Sequence, residues 1–178
     1  MKSVTLQNKK FEIFITENEI SEIINSISNQ INNSGLKNPL FIAVLNGSFI
    51  FASDIMRKIN IKNSEISFIK LSSYIATKSK GEVTELIGLT QNIKNRNVVI
   101  LEDIVDTGIT LEKIISLVEE EEIADIKVAT LLFKPEAYKK DIKIDFIGKS
   151  ITNDFVVGYG LDYNEIGRNL PHIYKLKE

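Results

Sequence analysis

The longest uninterrupted apolar run in the chain is Leu40-Phe41-Ile42-Ala43-Val44-Leu45. Six residues are far too few for a bilayer crossing, which needs roughly 20. A strand that is apolar at every position has no face to show to water, so it has to lie in a sheet covered on both sides. Chains satisfy that demand with parallel strands joined by helices that fold back over the sheet. The run therefore selects an α/β architecture.

The flanking sequence alternates in the expected way. Thr16-Glu17-Asn18-Glu19 is a capping-box pattern that begins a helix. Ile20, Ile23, Ile24, Ile27 and Ile31 continue it at helical spacing, and Gly35 supplies a stop. Asn46-Gly47-Ser48 breaks the apolar run, and Phe49 to Lys58 reads as a helix. Ile66 to Leu71 is a strand, and Ser72 to Leu89, small and polar at its centre, is ambiguous, a hairpin with a mobile tip being one reading of it. Val98 to Val105 is the clearest strand. It is followed by a helix from about Thr110 to Glu122, with Leu111, Ile114, Ile115 and Val118 on one side. Val128 to Phe133, Asp145 to Gly148 and Phe155 to Val157 are further strands, and Glu119 to Glu122 form a solvated acidic helix end. Strands and helices alternate without repeats or low-complexity linkers, so one α/β domain with a mainly parallel sheet is expected over residues 1–178.

Composition narrows the function classes. A net charge of −2 disfavours a general nucleic-acid or anionic-membrane binder. The N-terminal MKSVTLQNKKFEIF has no apolar stretch ahead of a small-residue cleavage site, so no signal peptide is expected. The absence of cysteine removes disulfides, thiolate zinc sites and cysteine nucleophiles, and fits a reducing cytoplasm. The single histidine, His172, leaves no material for a His-rich metal centre and reads as a packing or surface residue. Carboxylates, lysines and backbone amides must then carry any chemistry.

They concentrate in Asn97-Val98-Val99-Ile100-Leu101-Glu102-Asp103-Ile104-Val105-Asp106-Thr107-Gly108-Ile109-Thr110. In an open parallel sheet, ligands sit at the carboxyl ends of the strands, where Glu102, Asp103 and Asp106 fall. The turn Asp106 to Thr110 leads straight into a helix, so its N–H groups and the helix N-terminus converge on an anion. Gly108 permits a positive φ, and Thr107 and Thr110 offer hydroxyl donors, which suits a phosphate monoester. Adjacent carboxylates can accept from a ribose diol or organise a hard divalent cation that keeps its waters. The plainer alternative is that the acids cap the helix, since strand-to-helix turns use Asp, Gly and Thr anyway.

The whole pattern is narrower than that. Val98 to Thr110 resembles the 5-phosphoribosyl-1-diphosphate (PRPP) motif of type I phosphoribosyltransferases. Phe155-Val156-Val157-Gly158-Tyr159-Gly160-Leu161-Asp162-Tyr163-Asn164-Glu165, with Arg168 downstream, is similar to the C-terminal signature of the hypoxanthine-guanine branch. Ser73-Tyr74 and Lys134 match as well, and the landmarks run in order from about residue 40 to residue 170. The resemblance implies the type I phosphoribosyltransferase fold, a mainly parallel sheet flanked by helices with a small hood formed by terminal segments. It implies Mg²⁺-dependent transfer of phosphoribose from PRPP to N9 of a 6-oxopurine, with hypoxanthine, guanine and xanthine left open. It also implies a cytoplasmic homodimer or homotetramer that binds small molecules, not nucleic acid or membrane.

By the same resemblance, Glu102 and Asp103 hold the ribose hydroxyls, and Thr107, Gly108, Ile109 and Thr110 cradle the 5′-phosphate. Asp106 is the general base or acid near purine N7, with helix capping as its plainer role. Lys134 aims at purine O6, although most lysines are simply exposed. Phe155 stacks on the base unless it is a core residue, and the backbone of Val156 and Asp162 reads the base edge. Asn46, Gly47 and Arg168 face the diphosphate, with Arg168 otherwise a surface ion-pair partner. One Mg²⁺ falls to Glu102 and Asp103 and a second, on the diphosphate, to Asp162, while Ser73 and Tyr74 open a loop that closes over the centre unless it is a passive surface hairpin. The chain departs from the pattern at Asn46, where the family often has lysine, and at Ile109, another position that can carry lysine. Two rivals remain: a regulatory protein that keeps the PRPP site and binds nucleic acid, and a receiver-like phosphate-binding module.

Overall fold

The computed structural model describes residues 3–72, 84–87 and 92–177. Five strands form a parallel sheet in the order β4-β3-β6-β7-β8: β3 (Leu40–Val44), β4 (Glu65–Ser72), β6 (Asn97–Val105), β7 (Asp125–Phe133) and β8 (Phe146–Ser150). A sixth strand, β5 (Thr84–Ile87), pairs antiparallel on the outer edge of β4. Thus the arms of the expected hairpin are paired, while residues 73–83 lie outside the described residues.

Strand alternation divides the core into two layers. Phe41, Ala43, Val99 and Leu101 point into one, covered by α1 (Glu17–Asn32) and α2 (Phe49–Met56). Leu40, Ile42, Val98 and Ile100 point into the other, covered by α3 (Ile109–Glu119). Every residue of β3 is buried, as its unbroken apolar run requires.

The helix ends follow local chemistry. At α1 the capping box forms: the Glu19 N–H donates to Thr16 Oγ1 at 3.3 Å, and the Thr16 N–H donates to Glu19 Oε2 at 2.8 Å. Helix α2 stops at Met56 rather than Lys58, because the Lys58 N–H turns back to the Ile55 carbonyl, tightening the last turn. Helix α3 ends at Glu119 rather than Glu122, and no basic residue lies in its last turn. Four successive glutamates at a helix C-terminus face the negative end of its dipole, so the exposed run leaves the helix early.

A second, antiparallel sheet, ordered β1-β2-β10-β9, forms the hood. Its strands are β1 (Ser3–Leu6), β2 (Lys9–Ile15), β9 (Val156–Val157) and β10 (Ile173–Leu176). Only β9 was anticipated as an element. Phe11, Val157 and Tyr174 are its buried centre. Here His172 is tied to α1, whose Glu17 N–H donates to its Nδ1 at 2.9 Å.

Helix α1 packs on β8 where Gly148 leaves room: a Cβ there would come within 2.5 Å of the Leu131 carbonyl oxygen and 2.6 Å of Ile23 Cγ2. Gly148→Ala is expected to cost about 1–3 kcal/mol through overpacking. At roughly 2–4 °C per kcal/mol for a domain of this size, thermal melting should reveal it. An unchanged melting temperature would mean that α1 can move off β8 freely.

Candidate active site

Glu102, Asp103 and Asp106 occupy the carboxyl end of β6 and the turn beyond it. Glu102 is buried and lines a small cavity of about 90 Å³ together with Asp106, Thr107, Gly108, Ile109 and Thr110. Gly108 takes φ +82° immediately before α3, and a Cβ on it would meet the Tyr138 ring at 2.5 Å. Both backbone sign and space therefore require glycine. Thr107, Ile109 and Thr110 are exposed at the helix N-terminus, so the turn presents N–H groups and hydroxyls to an incoming anion.

Asp103 turns to the opposite face of the strand, against the loop after β3. A Cβ on Gly47 would lie 1.7 Å from Asp103 Oδ2, so any side chain there would displace the Asp103 carboxylate. In turn, Gly160 abuts the Gly47 carbonyl oxygen, which a Cβ on Gly160 would approach to 2.1 Å. The Leu45-Asn46 peptide in this loop is cis. Arg168 Nη1 donates to the Gly160 carbonyl at 2.9 Å, and Arg168 Nη2 lies 2.7 Å from Asp162 Oδ1 and 3.1 Å from Glu165 Oε2. Arg168 is therefore more than a surface partner: it is mostly buried and fastens Asp162 beside the loop at Gly47.

Burial dominates the electrostatics of the two strand-end acids. It holds Glu102 well above the usual carboxylate range, with the charge of Asp103 adding to the effect. Asp103 is pushed up to about 6 by burial, and Asp162 adds a smaller upward push. The N–H groups of Ile104 and Asp103 itself, and the nearby Arg168 guanidinium, pull the other way. Adjacent carboxylates with raised affinity for a proton are short of positive charge, which suits a divalent cation. Among the described residues no three carboxylate or imidazole groups converge as a ready-made metal cage. Glu102 faces the turn before α3 while Asp103 faces Gly47, with Asp162 held by Arg168, so a hard cation here would take one or two of these oxygens and be completed by waters and substrate.

Lys134 follows β7 and is buried, not a surface lysine. Its N–H donates to the Val105 carbonyl at 3.0 Å, and its Nζ donates to Asp106 Oδ2 at 2.9 Å. The pairing of Lys134 with Asp106 is absent from any local sequence pattern. From β8 the Ile151 N–H donates to the Phe133 carbonyl, so the chain passes beside Lys134 on its way to Phe155. Phe155 is 46% exposed and is propped by Phe11, at 6.3 Å between ring centroids, and by Tyr163, edge-on at 5.9 Å. The ring is thus held at the surface by two aromatic neighbours rather than buried as a core residue. Tyr163 and Phe11 were missed by sequence reasoning, although Tyr163 lies inside the C-terminal signature. Val156 is buried and paired with β10. Ser73 and Tyr74 lie outside the described residues.

Fold and site together define a class. Residues 15–164 match the family described as phosphoribosyl transferase domain, and the chain belongs to that family of enzymes. It is 40% identical to a hypoxanthine-guanine phosphoribosyltransferase of Staphylococcus aureus over 97% of both chains. It is 39% identical to a protein of the same name from Streptococcus pneumoniae, again over 97% of each. Among solved structures, a hypoxanthine phosphoribosyltransferase from Staphylococcus aureus superposes with a TM-score of 0.85 at 39% identity, covering 93% of this chain and 91% of that one. A hypoxanthine-guanine phosphoribosyltransferase from Bacillus anthracis gives 0.85 at 37% identity, covering 93% and 98%. Among the described residues, no helix is long and apolar enough to cross a membrane.

The raised affinity of Asp103 for a proton gives a signed expectation. An unfolded aspartate titrates near 3.9, so between about pH 4 and pH 6 the native state binds a proton that the unfolded chain has lost. Native stability therefore falls as pH rises through that window and stays lower above it. Without divalent cation, Asp103→Asn should melt several degrees above the parent at about pH 7.5 and close to it at about pH 4. A variant less stable than the parent at the higher pH would mean that the Asp103 charge is already compensated.

Proposed function

We propose that the chain is a purine salvage enzyme that transfers the 5-phosphoribosyl group of PRPP to N9 of hypoxanthine or guanine, releasing diphosphate. The observation that carries this reading is the Lys134–Asp106 pair at the end of β6 and β7. A 6-oxopurine displays O6 and N7 side by side on one edge, a pattern that a lysine ammonium recognises. Lys134 supplies a donor for O6 and Asp106 a proton-carrying group for N7. An adenine amino group would offer a donor to a donor.

In the reaction the N9–C1′ bond forms while the C1′–oxygen bond to diphosphate breaks, and the electron pair leaves with the diphosphate. Asp106 accepts the proton that leaves N7, a step worth typically ~10²–10⁴-fold. The turn Thr107 to Thr110 holds the 5′-phosphate at the N-terminus of α3, so C1′ is fixed relative to Asp106. Phe155 stacks on the base, and the backbone of Val156 and Asp162 reads its edge. Asn46 and Gly47 face the diphosphate through their backbone, with no lysine there, and Arg168 adds a guanidinium on the same side. When bound through Asp103, Glu102 or Asp162, Mg²⁺ supplies positive charge to the ribose hydroxyls and the departing diphosphate. Water, which would otherwise compete as nucleophile, has to be kept from C1′ while the bond breaks. The same reading carries a cytoplasmic homodimer or homotetramer, which light scattering on the purified chain tests.

The regulatory alternative needs a basic face, which a net charge of −2 does not favour. A turnover assay with PRPP, Mg²⁺ and each of hypoxanthine, guanine, xanthine and adenine decides the matter. Product is expected with the first two, little with adenine and none after chelation. Efficient use of adenine, or no turnover with any 6-oxopurine, would overturn the reading. Asp106→Asn should lower kcat by about 10²–10⁴-fold while PRPP binding stays measurable. A rate near that of the parent would remove Asp106 from proton transfer.

A further inference from the structure

Residues 158–160 hold three consecutive positive φ angles: Gly158 at +98°, Tyr159 at +51° and Gly160 at +100°. The two glycines adopt this backbone at no steric cost, but a tyrosine there is strained. Such a residue persists only where its surroundings over-determine it. At Tyr159 they do. The side chain is 7% exposed and packs into the core layer beneath α1 and α2. Its hydroxyl donates to Asp54 Oδ2 at 2.6 Å, a partner 105 residues away on α2. Burial, then the hydrogen bond to Asp54, raises the phenol well above its usual range, so it stays a donor at any working pH. The pair lies at one wall of a cavity of about 470 Å³, on the α1 and α2 side of the molecule.

None of the roles assigned above uses this bond, yet it joins the two segments that form the diphosphate side. Helix α2 begins at Phe49, directly after the loop of Asn46, Gly47 and Ser48. Beyond Tyr159, Gly160 abuts the Gly47 carbonyl and its own carbonyl accepts from Arg168 Nη1. The Tyr159 N–H donates to the Leu170 carbonyl and the Gly160 N–H to the Arg168 carbonyl, so the strained turn also fixes the segment that carries Arg168. The pair is therefore a strut between the helix that follows the diphosphate loop and the guanidinium that serves the same group.

We propose that Tyr159 and Asp54 are positioning residues for the diphosphate half of the site, acting through Gly160 on Gly47 and Arg168. The inference rests on the phosphoribosyl-transfer reading given above. It assigns these residues no contact with substrate. Their loss should be felt where diphosphate is bound, as PRPP in the forward direction and as free diphosphate in reverse. Purine affinity, set by Lys134, Asp106 and Phe155, should be spared.

The test is steady-state kinetics in both directions for the parent, Tyr159→Phe, Asp54→Ala, Asp54→Asn and the Tyr159→Phe/Asp54→Ala double variant. Tyr159→Phe removes one oxygen and keeps the ring, so it is the variant least exposed to a folding defect. Its KM for PRPP and for diphosphate is expected to rise about five- to tenfold, the scale of one hydrogen bond of ordinary net strength. Its KM for hypoxanthine should change by less than about twofold. Asp54→Ala should match it, and the double variant should be no worse than either single one, because one bond is being removed twice. Asp54→Asn keeps an acceptor and should recover most of the affinity. A Tyr159→Phe enzyme with an unshifted PRPP KM, or with PRPP and purine KM raised equally, would overturn the proposal and leave a purely structural tyrosine. Absence of turnover in the parent would instead defeat the transfer reading, and the strut with it.

Discussion

Adjacent strands of a parallel sheet end on the same edge, and so their outgoing loops must crowd against one another. The contacts at Gly47 are the tightest expression of that constraint, for its carbonyl leaves no room for a Cβ on Gly160 and a Cβ of its own would push the Asp103 carboxylate aside. The order of strands becomes the order of the site. The β3 loop carries Asn46 and Gly47, the β6 turn carries the acids and the phosphate cradle, and the end of β7 carries Lys134, with β8 leading on to Phe155. Diphosphate, phosphoribose and purine would then lie across the sheet edge in that sequence. A ligand with those three parts in another order would not match this edge.

Much of the sheet could be read directly, because it is written in local runs. The apolar strands β3, β6 and β7 and the caps of α1 involve residues only a few positions apart, and the turn Asp106 to Thr110 announces an anion by its own chemistry. The hood was harder. Phe11, Ile13 and Ile15 alternate along β2, but this strand pairs with Ile173 to Leu176 at the other end of the chain, and no local pattern encodes that register. The same limit hid the Tyr159 bond to Asp54 and the Lys134 bond to Asp106, whose partners are 105 and 28 residues apart. Arg168 was placed on the diphosphate side by its motif alone. What the motif could not convey is that three oxygen partners already hold it.

Several groups at this edge are worse off than they would be in the unfolded chain. Glu102 and Asp103 carry charge into a poorly solvated place, and Tyr159 holds a left-handed backbone. Local rules broken together in one region mark where selection favoured function over stability. Polar groups are satisfied elsewhere: among the described residues, Ser28 Oγ alone is a buried side-chain polar atom without a partner. Positive φ recurs at Gln7, Asn38, Asn63, Asn95 and Glu122, but those residues are exposed, whereas Tyr159 is buried.

Lys134 shows how such a site can be set before its ligand arrives. Its side chain is buried at the end of β7, its ammonium is paired with Asp106, and its own backbone N–H is bound to Val105. Asp106 is different, since its side chain is nearly half exposed. On the proposed reading a base entering at the sheet edge would meet a buried, paired cation and a more exposed carboxylate. The exchange would then be small: O6 would take a share of the ammonium, and Asp106 would turn toward N7 with its charge still partly matched by Lys134. Because the cation does not have to be desolvated or reoriented at that moment, the cost of organising it was met during folding, and binding energy from the purine remains for aligning N9 with the sugar.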